Sequence, residues 1–426
     1  MTTTSKNFDI AIVGGGLCGI SIAVALSRAG VKVKVFEATS RYEEVGAGVG
    51  LGSNAIRALH GLGLMDAVLA RIKESKANKM LFTFIAGEGD HERIFDYADT
   101  LTSGPDGKEG LAVYRPAYLE ALIPLLDPSV TAFNKRLKSL TRSPSGRQIL
   151  HFTDGTTHET DLVIGADGIK STSRIAVVGE GNNNLGFSNT YAYRGLVPVD
   201  ALLAAGVNPD KVQRPLIWTG IAKHFVSFPM NNNKIFNLVA FHRPIHDDNL
   251  TQERPPPWVE TVPHQDLLDA YKEWGNDARI ILEHITEPSR WSIHTLYPPL
   301  KSYVKGNVVL VGDSAHGMLP HLGAGVGQGF EDVYVLYRLL TLPETKMENL
   351  ETILATYDKL RVPRANAVLE RSIVSGNIYD NYGPKGYDAK TLEDKVRGQW
   401  EWVWDHDLEA QVNTAVAELR TVLSTA

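Results

Sequence analysis

The sequence predicts an α/β protein, and three observations carry that prediction. In residues 8–38, "FDIAIVGGGLCGISIAVALSRAGVKVKVFEA", an apolar segment of strand length (Phe8 to Val13) precedes Gly14, Gly16 and Gly19, and an apolar helical pattern follows through Leu26. Two later apolar strands, Asp161 to Gly165 and Val308 to Val311, each run into a glycine-containing turn. Between them lie aromatic-rich, β-like runs such as "PLIWTGIAKHFVSFPM" and "IFNLVAFHRP". The expected architecture is a Rossmann-like nucleotide-binding domain built from 6–76, 112–180 and 300–370. A β-sheet domain is interleaved with it at 77–111 and 181–299, and 371–426 forms a C-terminal helical segment.

The first element pairs a strand with a helix through glycines. In G-x-G-x-x-G the first glycine permits the tight turn, the second lets backbone approach a pyrophosphate, and the third lets helix and strand pack closely. The helix N-terminus offers free N–H groups to the anion. Val31 to Phe36 reads as a second strand, and Glu37 at its end is placed to accept hydrogen bonds from ribose hydroxyls. Cys18, the single cysteine, sits inside the glycine turn as a small filler and has no internal partner for a disulfide.

Bulk composition narrows the function. With 426 residues, 43% of them hydrophobic, the chain is long enough for two domains with a real core. A net charge of −6 gives no basic footprint, which argues against nucleic acid and anionic membrane surfaces as partners. "MTTTSKNFDI" has no apolar core of signal-peptide length and no run of 18 apolar residues occurs, so a cytoplasmic protein is expected. Asn249-Leu250-Thr251 matches a glycosylation sequon, which is without meaning in that compartment.

The interleaved region reads as strand and turn over 77–111, as a proline-rich surface connection over 252–263 and as helix over 264–287. The tail "TLEDKVRGQWEWVWDHDLEAQVNTAVAELRTVL" has helical spacing with three tryptophans, a pattern that suits a packing or dimer surface.

The third glycine-rich segment is the most specific. In "GNVVLVGDSAHGMLPHLGAGVGQGFEDVYVLYRLL", residues 306–340, a strand runs into Gly312-Asp313, then into Gly323, Gly325, Gly327 and Gly329, and then into a helical pattern from Phe330. A glycine cluster that opens a helix makes a site for an anion or a polar oxygen from backbone N–H groups. "GDSAHG" also resembles a hydrolase nucleophile elbow, but the fifth position of G-x-S-x-G is His316 here, which removes the flexibility the elbow needs. His316 and His321 do not share a helix face, and no carboxylate or cysteine cluster joins them as a metal site would require.

Taken together, "GGGLCG" with Glu37, "LVIGADGIKSTSR" and "LVGDSAHGMLPHLGAGVGQGFED" resemble the three fingerprints of the single-component, FAD-dependent aromatic hydroxylases. The resemblance extends to "EVGAGVGLGSNAIRALHGLGL" (44–64), "VYRPAYLEAL" (113–122), "YRGLVP" (193–198) and "WVWDHDLEAQ" (402–411), and it is nearest to the salicylate-hydroxylase-like branch. It implies that Gly14, Gly16, Gly19 and Glu37 hold the adenosine and pyrophosphate end of FAD. It further implies that Asp313 meets the ribityl chain, that the amides around Gly325 and Val326 face the flavin pyrimidine oxygens, and that Arg115 lies along the cofactor. A helix N-terminus suits the negative charge of a reduced flavin.

The same resemblance implies hydroxylation of a phenolic aromatic acid through a flavin hydroperoxide, with NADH or NADPH as a transient co-substrate and O2 as the oxidant. Salicylate with loss of CO2 is the expected substrate type. His321 and His224 match positions of pocket histidines that take a phenol proton. Arg194 and Arg243 are candidates for a substrate carboxylate or phenolate. Trp218, Phe228 and Met318 are candidates for the aromatic pocket wall. Other readings are a hydroxylase of a different phenolic or polyketide-like metabolite, a non-oxygenating FAD oxidoreductase and a flavin-binding regulator.

Overall fold

The computed structural model describes residues 6–42, 48–72, 82–97, 110–244, 251–252, 254 and 256–425. The start of the 44–64 segment, residues 77–81 and 98–109 of the expected strand-and-turn region, and Asn249-Leu250 of the sequon lie outside these residues. Six strands form the first sheet, in the order Val304–Lys305, Val308–Leu310, Leu162–Gly165, Ile10–Val13, Val33–Phe36, Thr131–Ala132. All neighbours are parallel except Val304–Lys305, which is antiparallel to Val308–Leu310. Ile10–Val13 is central and buried along its whole length, as expected of a strand covered on both faces.

Register decides what this sheet can do. Val13 is level with both Gly165 and Phe36, and Gly165 is level with Leu310. The chain therefore leaves four adjacent parallel strands at one edge, with Gly312, Ala166, Gly14 and Glu37 next to one another. The carboxyl ends of parallel strands in an open sheet are where ligands bind.

A second, nine-stranded sheet contains Leu185–Pro198, Lys223–Met230, Ile235–His242 and Ser289–Leu296 in its middle, with Leu216–Thr219, Thr83–Ala86 and Arg93–Asp96 toward one end. Its two faces have different covers. Trp218, Phe225, Leu238, Tyr271 and Trp274 pack in one core with residues of the helices Val199–Ala204 and Asn276–Glu283. Ile217, Leu322, Tyr379 and Trp400 pack in another on the opposite face. A three-stranded meander, Leu137–Arg142, Gln148–Phe152 and Thr157–Thr160, packs Leu150 and Phe152 against Val13 and Phe36 of the first sheet.

Residues 264–287, expected as helix, form two short helices, His264–Ala270 and Asn276–Glu283. The break turns Tyr271 and Trp274 inward onto Phe225, with ring centroids 4.8 and 4.4 Å away. The boundary placed at 370 falls inside a 30-residue helix, Leu350–Tyr379, that joins the two sheets' surroundings. In the tail, Trp400 is buried against Phe82, Phe84 and Tyr97, and the helix Leu408–Thr425 adds Val412, Val416 and Leu419 to the main core. No helix among the described residues is long and apolar enough to cross a membrane.

Candidate functional site

At the sheet edge the glycines are there for contact. Gly14 has φ +101°, and a Cβ on it would lie 2.4 Å from the Ala166 carbonyl oxygen. A Cβ on Gly19 would lie 2.0 Å from the Gly14 oxygen, so strand, helix and the second motif meet here without room for a methyl group. Gly16 borders open space, and the helix Leu17–Arg28 starts beside it with no side-chain cap. Its first N–H groups are left for an anion. Glu37 accepts hydrogen bonds from the Gly15 N–H at 2.7 Å and from the Thr39 N–H and hydroxyl at 2.8 and 2.9 Å, which fixes its carboxylate beside the glycine turn.

Asp167 accepts from the Thr172 and Ser173 N–H groups and from the Ser171 hydroxyl, and so shapes the turn of the second motif. Arg174, fully buried, donates to the Ile169 and Ser314 carbonyls and ties the second motif to the third. Its role was not read from the sequence, although it closes the quoted "IKSTSR".

In the third motif Gly312 (φ +64°) and Gly329 leave space that Cys18 fills. Its sulfur would lie 2.9 and 2.5 Å from Cβ atoms placed on them. Burial drives the thiol pKa far up, with Asp332 and Asp313 adding to it, so Cys18 is the inert filler expected. The Ser314 hydroxyl is buried and donates to the Gly165 and Val311 carbonyls, which leaves it unsuited to act as a nucleophile. Asp313 alone in this turn is exposed. Its carboxyl is held above the usual range because surrounding desolvation outweighs the pull of His316, Arg115 and Arg174. Gly325 opens the helix Gly325–Leu340, and a Cβ on it would sit 3.9 Å from the Asp313 carboxylate and 3.6 Å from Met318. Arg115 starts the helix Arg115–Leu122 and is close enough to Asp313 and Arg194 to influence both.

The anion seat, the fixed carboxylate of Glu37 and the exposed Asp313 before a helix N-terminus fit the two ends of FAD.

The second sheet brings His224 and His321 together. His224 Nδ1 is 2.6 Å from Asp380 Oδ1, and His224 Nε2 is 3.2 Å from His321 Nδ1. Both rings are buried, His224 stacks on Phe241 at 4.6 Å, and Tyr379 closes one side. Arg243 donates to Asn377 at 2.9 Å and lies 4.0 Å from Asp380, so its guanidinium is engaged within this cluster. Asp380 was not singled out in the sequence. It is distant in sequence from both histidines and sits in "IYDNYG", which carries no motif.

Other candidates separate. Phe228 shares His224's face of its strand and reaches toward Gly48, whose added Cβ would be 3.1 Å from the ring. Met318 lies between Gly325 and Ser372. Arg194 is stacked over Trp291 at 4.7 Å and strongly desolvated. Trp218 must be moved from the pocket wall. It is fully buried on the opposite face, in the helix-covered core, where its indole N–H donates to Ser227 at 2.9 Å. The two-residue period of the strand puts Ile217, not Trp218, toward Tyr379. A separate cavity of about 740 Å³ is lined by Glu88, Asp90, Glu92, Asp388 and Tyr382, and none of the predicted site residues borders it.

Glycine-bearing strand ends gathered at one sheet edge, with a buried histidine pair in the second sheet, are the arrangement of a flavoprotein oxidoreductase. The chain belongs to the family described as FAD binding domain, whose model matches residues 7–372, and it is an FAD-dependent monooxygenase. It is 38% identical over 431 residues to a salicylate hydroxylase of Pseudomonas putida, covering 98% of this chain and 97% of that one. It is 29% identical to a 6-methylsalicylate 1-monooxygenase of Aspergillus terreus, over 97% and 93% of the two chains. Among solved structures, a salicylate hydroxylase substrate complex superposes with a TM-score of 0.82 at 29% identity, over 96% of this chain and 98% of that one.

Proposed function

We propose that this enzyme hydroxylates an ortho-hydroxybenzoate at the carboxyl-bearing carbon, consuming NAD(P)H and O2 and releasing CO2, a catechol and water. The observation that carries the reading is the buried pair His224–His321, set between the sheet and the third glycine motif, in a chain similar along its length to salicylate hydroxylases. FAD, when bound, supplies the redox and oxygen-activating chemistry. Gly14, Gly16, Gly19 and Glu37 hold its adenosine and pyrophosphate end. Arg115, Asp313, Gly325 and Val326 serve the flavin end.

The remaining work falls to side chains. The histidines take the phenol proton, which makes the ring electron-rich where oxygen is to be added. Arg194, desolvated beside Arg115, gains from an anion, and a substrate carboxylate meets that demand. Phe228 and Met318 exclude water around the ring.

Carboxyl-labelled salicylate, NADH and air test the reading. Labelled CO2 with catechol is expected. A ring-hydroxylated product that retains the label would reject the loss of CO2 but keep the hydroxylase. NADH oxidation that yields only hydrogen peroxide would reject both.

A further inference from the structure

The hydrogen-bond chain that ends at His321 has a direction, and its direction is set by a carboxylate. Asp380 follows the helix Leu350–Tyr379 and is 3% exposed. Its backbone carbonyl accepts from the Ala222 N–H at 2.8 Å, and Ile221 bridges to Asn381, so the end of the helix is pinned to the strand that carries His224. That pinning delivers the carboxylate to His224 Nδ1 at 2.6 Å.

An ionised carboxylate only accepts, so His224 Nδ1 carries a hydrogen. In a neutral imidazole the other nitrogen is then an acceptor, and His224 Nε2 takes the hydrogen of His321 Nδ1. A neutral His321 in turn has its lone pair at Nε2. That nitrogen is buried without a hydrogen-bond partner among the described residues. Desolvation, with His224 and Arg243 adding to it, holds the His321 pKa well below the usual range, in keeping with a neutral ring. The ring edge that bears Nε2 lies against Gly376, where an added Cβ would be 2.7 Å from it.

We propose that Asp380 is a positioning residue that makes His321 Nε2 the acceptor of the substrate's phenol proton and His224 the place where that proton's charge rests. This rests on the hydroxylase reading above. In the step, the phenol O–H breaks as an N–H forms at His321 Nε2. The Nδ1–H of His321 breaks as an N–H forms at His224 Nε2. The phenolate and an imidazolium on His224 result, with the Asp380 carboxylate opposite the new charge. His321 ends neutral, with its hydrogen moved from one nitrogen to the other. Holding the charge on His224 keeps it away from the flavin end and beside its counter-ion. Arg243 and Tyr379 also face the pair, and His242 and Tyr271 feel the Asp380 charge from the other face of the sheet.

The test uses FAD-loaded enzyme without oxygen and 5-nitrosalicylate as a coloured phenol, and reads the pH at which the bound phenol ionises by difference absorbance. Asp380→Asn keeps the size and hydrogen bonding but removes the charge. Loss of an opposing charge raises the ionisation by about one pH unit or more. Asp380→Glu restores part of the shift. His224→Gln serves as the second variant and gives a shift of the same sign, because glutamine cannot hold the proton. An unchanged ionisation pH in either charge-removing variant, with FAD and probe bound, overturns the proposal. If the parent enzyme hydroxylates neither salicylate nor the probe, the hydroxylase reading fails and takes this one with it. If it hydroxylates while the ionisation is unmoved, the positioning role alone falls.

Discussion

His316 and His224 each face a buried carboxylate at 2.6 Å, Asp332 in one case and Asp380 in the other. Around Asp332 the donors are complete: the Gly312 N–H at 2.8 Å, His316 Nε2 and Arg361 Nε at 2.7 Å. Its neighbour Glu331 receives Arg361, Arg364, Asn54 and Gln328. Burial raises the Glu331 carboxyl, yet Arg361 and Arg364 outweigh it and pull the pKa down to about 2. Asp380 has one close imidazole and a guanidinium 4.0 Å away. Among the described residues a ring nitrogen without a hydrogen-bond partner is common to both clusters, His316 Nδ1 in one and His321 Nε2 in the other. The second imidazole in the chain is what differs. The lesson is that a histidine–carboxylate pair closed by arginines is a strut, whereas one extended through another imidazole leaves a proton somewhere to go.

Breaking the strut gives the largest effect. Arg361→Met strands two buried carboxylates and is expected to cost about 3–5 kcal/mol in urea unfolding. Stability equal to the parent's would remove the structural reading of that cluster. Gly376→Ala acts on the other cluster, since the new methyl would fall 2.4 Å from His321 Cδ2. Overpacking of this kind costs about 1–3 kcal/mol. FAD content stays at the parent's level while hydroxylation per NADH oxidised falls, because the displaced ring no longer meets the substrate as it does in the parent. Equal coupling would show that the ring's position is not used.

Acid separates the clusters by pH. Desolvation, with Lys223 adding to it, pushes His242 down to about 4 against the pull of Asp380, and His321 is depressed as well. Unfolded histidines titrate near 6.5, so between that pH and 4 the unfolded chain binds more protons than the native one. Stability is full above pH 6.5 and declines as pH falls. The loss between pH 7 and 5 is about 2 kcal/mol per such ring at most. Glu331 and its partners hold through this window and fail only below about pH 4.5, where the unfolded carboxylate begins to protonate. His242→Gln should flatten the decline between pH 7 and 5, and an unaltered urea midpoint profile would contradict this. Trp218→Phe, on the far face of the sheet, gives the smallest effect. About 1 kcal/mol of stability goes with its bond to Ser227, and substrate KM and coupling do not change. Altered coupling would return Trp218 to the pocket wall.

What was legible in the sequence follows from how local each constraint is. Gly14, Gly19 and Gly312 are imposed by contacts within a turn or between neighbouring strands, so spacing reveals them. Glu37 ends the second strand and is placed by the same short unit. Asp380 meets His224 across 156 positions at the end of an unremarked helix, and no local pattern announces that meeting. Trp218 misled because its strand is apolar on both faces. Alternation then gives no sign of which side points to the helices. The parity of "KHFVSFPM" was usable, and it correctly puts His224 and Phe228 on one face.

The helix Leu350–Tyr379 carries Arg361 near its middle and Gly376 near its end, while Asp380 follows directly. At 1.5 Å per residue an unkinked helix would put Arg361 and Gly376 about 22 Å apart along a single rod, and Pro363 is the one proline in that interval. One residue inserted between them would turn one cluster by about 100° relative to the other and lengthen the rod. The helix is thus a ruler that fixes both spacing and phase between the Arg361 cluster and the turn that packs against the His321 ring.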